Sequence, residues 1–173
     1  EGLVLLDQHA AHERIRFVQL KAMSGQSDKP SQKLIVAETL DLSFAEADTL
    51  IKLMPELAAF GLDIEPFGGN TFVVKSIPSL LEGREIKPLV MEMIDKVTEL
   101  GGDHGMREIL DRCLIVMACH GTVRAKQALT EEEMRALLSQ LDACENSSHC
   151  PHGRPIWVTW SLRDLEKHFR RVV

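Results

Sequence analysis

Residues 3–13 read Leu-Val-Leu-Leu-Asp-Gln-His-Ala-Ala-His-Glu, a short apolar run followed directly by a helix-forming segment. The run at 3–6 is typical of a buried strand, and Asp7 stands where a carboxylate caps the helix that follows. That helix is predicted from His9 to about Met23. A strand that passes into a helix in this way is the first unit of the α+β fold that we expect for the chain.

The remaining elements follow from local patterns of the same kind. A strand is predicted at 32–42, then a helix that Ser43 caps and that runs to 60, then a hairpin of 64–67 with 71–77. Helices follow at 88–100, at 106–126 and from 130. The last two elements are a strand at 156–160 and a helix that Ser161 caps and that runs to 171. Thr130 and Glu133 form a capping box. The inward stripe of that helix is predicted to be Met134, Leu137, Leu138 and Leu141.

Composition limits the classes of function. The chain has 173 residues, of which 45% are hydrophobic, enough for one sizeable core or two small ones. Its formal net charge of −6 argues against a broad positive surface for nucleic acid, so any contact with duplex DNA is expected to be weak alone. No apolar run is long enough to cross a bilayer and no export signal is visible, which predicts a cytoplasmic protein with no membrane partner.

The four cysteines are expected to be reduced thiols, because a chain of this size does not need disulfides. Cys113 lies within an apolar stretch and is interpreted as a small buried hydrophobe. Cys144 is either a loop residue or an auxiliary metal ligand, and the sequence leaves both open.

Several residues have the chemistry of transition-metal ligands. His9 and Glu13 are four residues apart, about 40° around a helix, so both side chains can face one ion. The same spacing also occurs on many surface helices that bind nothing. Cys150 and His152 flank a proline in a rigid loop, and Cys119 lies midway along the chain. Thiolate, imidazole and carboxylate are ligands that zinc prefers.

Three separate motifs carry a resemblance to a known family. They are Asp-Gln-His-Ala-Ala-His-Glu at 7–13, Ala-Cys-His-Gly-Thr-Val-Arg at 118–124 and Cys-Pro-His-Gly-Arg-Pro at 150–155. In this order and spacing they are similar to the motifs of the C-terminal endonuclease domain of the MutL family of DNA mismatch-repair proteins. The resemblance covers essentially the whole chain.

The resemblance implies a metal-dependent endonuclease that nicks one strand of duplex DNA. It implies metal ligands at His9, Glu13, Cys119, Cys150 and His152, with Zn²⁺ or Mn²⁺ or both in a two-metal site. Glu13 would be the central carboxylate, so that one ion activates water and the other stabilises charge at the phosphate. Asp7 and Glu13 are thus the expected catalytic residues. Asp7 would bind metal or orient a ligand, although helix capping explains it nearly as well.

Two further positions bear on activity. Arg154 is a candidate for contact with a DNA phosphate, and its alternative is a structural bridge to acidic residues near the C-terminus. The family's first motif usually ends with a second glutamate, where this chain has Val18. Because that position lies about 140° from Glu13 around a helix, we expect weakened or retuned activity rather than none.

The resemblance also implies an organisation in two lobes and a set of partners. A dimerising lobe with the metal site would comprise 1–29 with 118–173, and an external regulatory lobe would comprise 30–117. The implied partners are a second copy of the chain, a mismatch-recognition protein of the MutS type and the replication sliding clamp. The clamp would bind a motif that includes Gln32, Leu34 and Ile35, in which Ala37 replaces a usual proline.

Other classes of function stay open at this point. The chief alternative is a non-catalytic module in which structural zinc supports dimerisation and recruitment of partners, and Val18 and the acidic charge favour it. A zinc hydrolase of small molecules or peptides lacks the His-Glu-x-x-His motif. The resemblance further implies a bacterial, nucleoid-associated protein whose ATP-binding motifs lie outside this sequence.

Overall fold

The computed structural model describes residues 2–23, 30–101, 104–121 and 128–171. Its elements are β1 (Gly2–Leu6), α1 (Gln8–Met23), β2 (Ser31–Asp41), α2 (Phe44–Ala58), β3 (Asp63–Gly68), β4 (Thr71–Pro78), a 3₁₀ helix (Ser79–Leu81), α3 (Ile86–Leu100), α4 (Met106–Gly121), α5 (Glu131–Asp142), β5 (Trp157–Ser161) and α6 (Leu162–His168). Within these described residues, six helices accompany two small antiparallel sheets. The predicted α+β class is confirmed. None of the described helices is both long and apolar enough to span a membrane.

The contacts divide the chain into two compact units. The terminal unit comprises Glu1–Ile15 with Thr122–Val173, and the central unit comprises Arg16–Gly121. The two lobes expected at 1–29 with 118–173 and at 30–117 stay a prediction, as do their dimerising and regulatory roles.

The central unit contains a three-stranded antiparallel sheet in the order β2, β4, β3. The hairpin predicted between β3 and β4 is present, with positive φ at Gly68 and Gly69, where a side chain would be strained. Ser43 caps α2 through a capping box with Glu46. Buried aliphatic residues of α2, α3 and α4 pack with those of the sheet into the larger core, which includes Leu50, Leu57, Phe72, Val74, Leu89, Met93 and Met117.

Strand β2 departs from regular pairing in its middle. Lys33 lies opposite Ser76 and Glu38 opposite Val74, so the residues between Lys33 and Glu38 exceed those available on β4 and form a bulge. A bulge of this kind lifts side chains away from the sheet. Ile35 and Val36 are accordingly exposed on it.

The terminal unit contains the second sheet and a smaller core. Strands β1 and β5 pair antiparallel, with Leu3 opposite Trp160 and Leu5 opposite Val158. The capping box predicted at the start of α5 is present, since Thr130 accepts from the backbone of Glu133. The smaller core consists of Ala10, Ala11, Ile15, Leu137, Leu141, Cys150 and Ile156.

The structure corrects two predictions of burial. Met134 and Leu138 are exposed, whereas Leu137 and Leu141 are buried, so only one side of the predicted stripe meets the core. Strand β1 forms where predicted, but most of its residues are exposed, because a sheet of two strands offers little cover.

Some predicted bounds also differ. Helix α2 ends at Ala58 and α6 at His168, both short of the predicted ends. The predicted extension of α4 to 126 lies outside the described residues.

Candidate metal centre

The junction of β1 and α1 positions the first group of candidate ligands. Asp7 accepts hydrogen bonds at Oδ1 from the backbone N–H groups of His9 (2.9 Å) and Ala10 (3.3 Å). These contacts make Asp7 the N-cap of α1. Its own N–H donates to the carbonyl of Ile156 over 2.8 Å, which ties the start of the helix to the segment before β5. The structure therefore shows Asp7 in a capping position.

A tight turn positions the second group. The N–H of Gly153 donates to the carbonyl of Cys150 over 2.9 Å, with Pro151 in the second position of the turn. Gly153 has a φ of 83°, which favours glycine at this point. The N–H of Cys150 then donates to the carbonyl of Arg154 over 2.8 Å. The turn buries Cys150 in the smaller core and leaves His152 exposed.

The two groups meet at Glu13. Its side chain is buried, with the residue 7% exposed. Oε1 lies 3.1 Å from Nε2 of His9, and Oε2 lies 3.3 Å from Nδ1 of His152. The Sγ of Cys150 lies 3.9 Å from the same nitrogen of His152. Glu13, Cys150 and His152 thus offer three donor atoms that lie within 4.8 Å of one another.

These donors fit a transition metal. A thiolate, an imidazole and a carboxylate together match the preferences of Zn²⁺, and three protein donors are the usual number at a catalytic zinc ion. The Nδ1 atom of His9 is buried and has no hydrogen-bond partner among the described residues. That nitrogen is no donor to the cluster, because it is Nε2 of the same ring that faces Glu13. The donor chemistry of Glu13, Cys150 and His152 by itself suits a bound metal ion.

Two other predicted ligands are not among the three clustered donors. Cys119 is half-buried on α4 in the central unit and is not one of the three clustered donors. The Sγ of Cys144 donates to the carbonyl of Gln140 over 3.3 Å, and burial raises the pKa of its thiol although Arg14 opposes the shift. Cys144 is also outside the cluster. The part of either cysteine in a metal site stays a prediction.

Arg154 and the predicted clamp motif occupy accessible positions. Arg154 is exposed and forms no ion pair with a described carboxylate, so the alternative of a structural bridge finds no contact there. Gln32 and Ile35 are exposed on β2, and Leu34 is partly buried against the larger core.

One residue that supports the site could not be assigned from the sequence. Nε of Arg14 donates to the carbonyl of His149 over 2.6 Å and so joins α1 to the loop that carries Cys150. The sequence indicated only a positive charge beside the first motif. No local pattern signals a hydrogen bond between residues so far apart along the chain.

Fold and site together define a small α+β domain with a candidate metal centre built from both ends of the chain. The family model described as the MutL C terminal dimerisation domain matches residues 1–129. The chain belongs to this family, which confirms the resemblance seen in its motifs.

Individual relatives agree with that assignment. The DNA mismatch repair protein MutL of Azorhizobium caulinodans is 42% identical over 171 residues, which cover 99% of this chain and 27% of that protein. The MutL protein of Pelobacter propionicus is 40% identical over 171 residues, covering 99% of the chain and 28% of the relative. That of Geotalea daltonii is 37% identical over 170 residues, covering 98% and 28%. The chain spans less than a third of the length of these relatives.

Proposed function

We propose that this chain is the metal-dependent endonuclease domain of a MutL-type mismatch-repair protein and that it nicks one strand of duplex DNA. The observation that carries the proposal is the cluster of Glu13, Cys150 and His152, whose donor atoms lie within 4.8 Å of one another. The residues come from two of the three motifs that relate the chain to the family. Zn²⁺ is the ion that suits the thiolate, and Mn²⁺ suits the carboxylate better than the sulfur.

The chain's own residues organise the site in distinct ways. A metal ion bound there would supply a Lewis acid that activates water and stabilises charge on the scissile phosphate. Glu13 is held between two imidazoles, one on each carboxylate oxygen, which fixes its orientation. Cys150 is buried in the smaller core and anchors the turn, while the exposed His152 faces solvent, where substrate can approach. Asp7 acts as a positioning residue by capping the helix that carries His9 and Glu13.

A positive charge close in sequence to His152 supports an approach by DNA. The exposed Arg154 follows His152 by two residues and has no described carboxylate as an ion-pair partner. Its guanidinium is suited to contact a phosphate beside the cleaved bond. The overall charge of −6 opposes tight binding, so delivery to DNA depends on partner proteins.

The bulge of β2 supports docking on the sliding clamp. Gln32, Leu34 and Ile35 lie on this strand, and the bulge exposes Ile35 and the neighbouring Val36. Exposed aliphatic side chains on a protruding segment are suited to an apolar pocket of a partner. The other protein partner that we propose is a mismatch-recognition protein of the MutS type. We propose that the chain acts in the bacterial cytoplasm, at the nucleoid.

The exposed face of the β1–β5 sheet supports dimerisation with a second copy. Paired residues of an antiparallel sheet point to the same side, so Leu3 with Trp160 and Leu5 with Val158 form one apolar face. All four side chains are exposed in the single chain. A contiguous apolar face of this kind is typical of a protein interface.

The alternative is a non-catalytic zinc module that only dimerises and recruits partners. A structural zinc ion takes four protein ligands, whereas a catalytic ion keeps a position open for water. The clustered donors of the described residues are three in number, which favours the catalytic interpretation.

A nicking assay tests the proposal. Supercoiled plasmid is incubated with the chain, Mn²⁺ and the cognate clamp, and conversion to the nicked circle is measured. Glu13→Gln keeps the shape of the side chain but removes its charge. We expect at least about a 100-fold loss of nicking, because substitution of residues that only hydrogen-bond to metal ligands already lowers activity by up to about 100-fold. Glu145→Gln, an exposed residue of the same unit, is the matched control and should nick normally. Equal background conversion by the unmodified chain and both variants would instead favour the non-catalytic module.

A further inference from the structure

Two arginines in the central unit are held close together by backbone carbonyls. Nη1 of Arg16 donates to the carbonyl of Leu80 over 2.8 Å. Nη2 of Arg84 donates to the carbonyl of Gly121 over 3.3 Å. Both side chains are half-buried. Because a guanidinium has five N–H donors, each arginine keeps further donors for another group.

Gly121 brings the two arginines to one place. A Cβ atom at this position would lie 3.1 Å from Cδ and 3.3 Å from Nη1 of Arg16, so the end of α4 lies directly against that side chain. The carbonyl of the same residue binds Arg84. Burial and the positive charge of Arg84 both lower the pKa of Arg16, as expected for neighbouring cations.

No described carboxylate balances this pair. Neither Arg16 nor Arg84 forms an ion pair among the described residues, although the chain has 26 acidic and 20 basic side chains. Two acids of the same unit have other partners: Asp111 pairs with Lys21 and Glu92 with His120. Two like charges that are partly removed from water repel one another, and a bound anion would offset that cost.

We propose that Arg16 and Arg84 form a phosphate-binding site for the backbone of duplex DNA. The inference rests on the proposed function, which makes duplex DNA the substrate. Paired guanidinium groups recognise the oxygens of a phosphate by charge-assisted hydrogen bonds. Anchoring on the carbonyls of Leu80 and Gly121 holds both groups in place before the phosphate arrives, which lowers the entropic cost of binding.

A binding assay without metal tests the site directly. Fluorescence anisotropy of a labelled duplex is measured in EDTA over a series of salt concentrations. Arg16→Gln and Arg84→Gln should each weaken binding about fivefold and reduce the salt slope by about 0.9, and the double variant should reduce it by about 1.8. Arg107→Gln removes the same charge from an exposed position of α4 and is the matched control.

Several results would overturn the proposal. One is that the two variants match Arg107→Gln in affinity and slope, and another is that the unmodified chain fails to bind duplex at the lowest salt. Arg84→Lys keeps the charge and should keep the slope, so a loss there equal to that of Arg84→Gln would indicate a structural role. If Arg16→Gln lowers Tm strongly, Arg84→Gln and Arg84→Lys still decide the outcome.

Inorganic phosphate distinguishes the source of the ligand. The Tm of the unmodified chain and of the double variant is followed as phosphate is added. If phosphate raises the Tm of the unmodified chain but not of the double variant, and duplex affinity also depends on the two arginines, the site is supported. The same rise with duplex affinity equal to that of the control would assign the site to free phosphate and overturn the DNA assignment.

The assay separates this inference from the proposed nuclease. Glu13→Gln should bind duplex in EDTA as well as the unmodified chain, because no metal takes part. If nicking needs Glu13 but both arginine variants bind duplex normally, the proposed nuclease is supported and the phosphate site is overturned. If duplex binding depends on the arginines but the chain does not nick DNA, the phosphate site is supported and the proposed nuclease is overturned.

Discussion

Oε2 of Glu13 lies 3.3 Å from Nδ1 of His152, so a buried carboxylate of the first helix contacts an imidazole near the other end of the chain. The helix cap at Asp7 fixes the start of α1, and the turn at Gly153 fixes the loop that carries His152. The convergence of these side chains therefore depends on the cap, on the turn and on the smaller core that joins them.

Zinc should stabilise the chain through these donors. Zn²⁺ at 100 times its dissociation constant is expected to add about 2.7 kcal/mol to the free energy of unfolding, which appears as a rise in Tm. Cys150→Ala and His152→Ala should remove most of that rise, because each deletes a clustered donor. Scanning calorimetry with and without a chelator measures the zinc-dependent rise in Tm.

Cys144→Ser is the control for that experiment. Cys144 lies in the same unit but outside the three-donor cluster, so the zinc-dependent rise in Tm should persist in this variant. Loss of the rise in Cys144→Ser would show that Cys144 is a ligand and that the cluster is incomplete as we assign it.

Dimerisation should depend on one face of the β1–β5 sheet. Val158→Glu places a charge on the face that also carries Leu5 and Trp160, and burial of an unpaired charge should weaken the dimer at least about 100-fold. Sedimentation velocity measures the monomer–dimer equilibrium. Val4→Glu lies on the opposite face of β1 and should leave the dimer intact. Dissociation by Val4→Glu alone would place the interface on the other face.

Clamp binding should depend on the bulge of β2. Ile35→Ala removes a fully exposed aliphatic side chain and should weaken binding to the cognate clamp at least about tenfold, as expected for an anchoring residue. Ile51→Ala removes a second exposed isoleucine, on α2, and serves as the comparison. Surface plasmon resonance measures both. Similar affinities for the two variants would locate the clamp contact elsewhere.

The larger core should tolerate little loss of volume. Leu50 is 0% exposed and Ile51 is 53% exposed, although they are adjacent on α2. Leu50→Ala is expected to lower the free energy of unfolding by about 3 kcal/mol through lost burial and a cavity. Ile51→Ala should change it by about 0.5 kcal/mol or less. Urea denaturation compares them, and equal losses would contradict the packing described for α2.

The capping box of α2 should respond to pH. Hydrogen bonds from the side chain and backbone of Ser43 hold the pKa of Glu46 below its ordinary value. The cap therefore contributes fully above the pKa of the unfolded chain, and the contribution is lost as pH falls through the lowered pKa. Ser43→Ala should raise the pKa of Glu46 towards its ordinary value in an NMR titration.

Thr49→Ala provides the control for the cap. The hydroxyl of Thr49 donates to the carbonyl of Ala45 within the same helix and not to Glu46. The pKa of Glu46 should therefore be unchanged in this variant. An equal rise in both variants would mean that the helix as a whole, and not the Ser43 cap, lowers the pKa.

Local patterns were sufficient to predict most elements of the fold. Ser43, Thr130 and Ser161 cap helices as predicted, because a cap depends on residues within one turn of each other. Burial was harder to predict. Met134 and Leu138 have the spacing of a core stripe but are exposed, since the width of the buried side depends on what packs against the helix.

The candidate site was predictable as a set of residues but not as an arrangement. Most elements and the α+β class could be predicted because they depend on residues that are near one another in the chain. The family could be predicted because three motifs are similar to those of related chains. Three features could not be predicted in this way: Glu13 converges with Cys150 and His152, β2 bulges at Ile35, and Arg16 meets Arg84 at Gly121. These contacts join distant segments, and packing of the whole chain sets their distances.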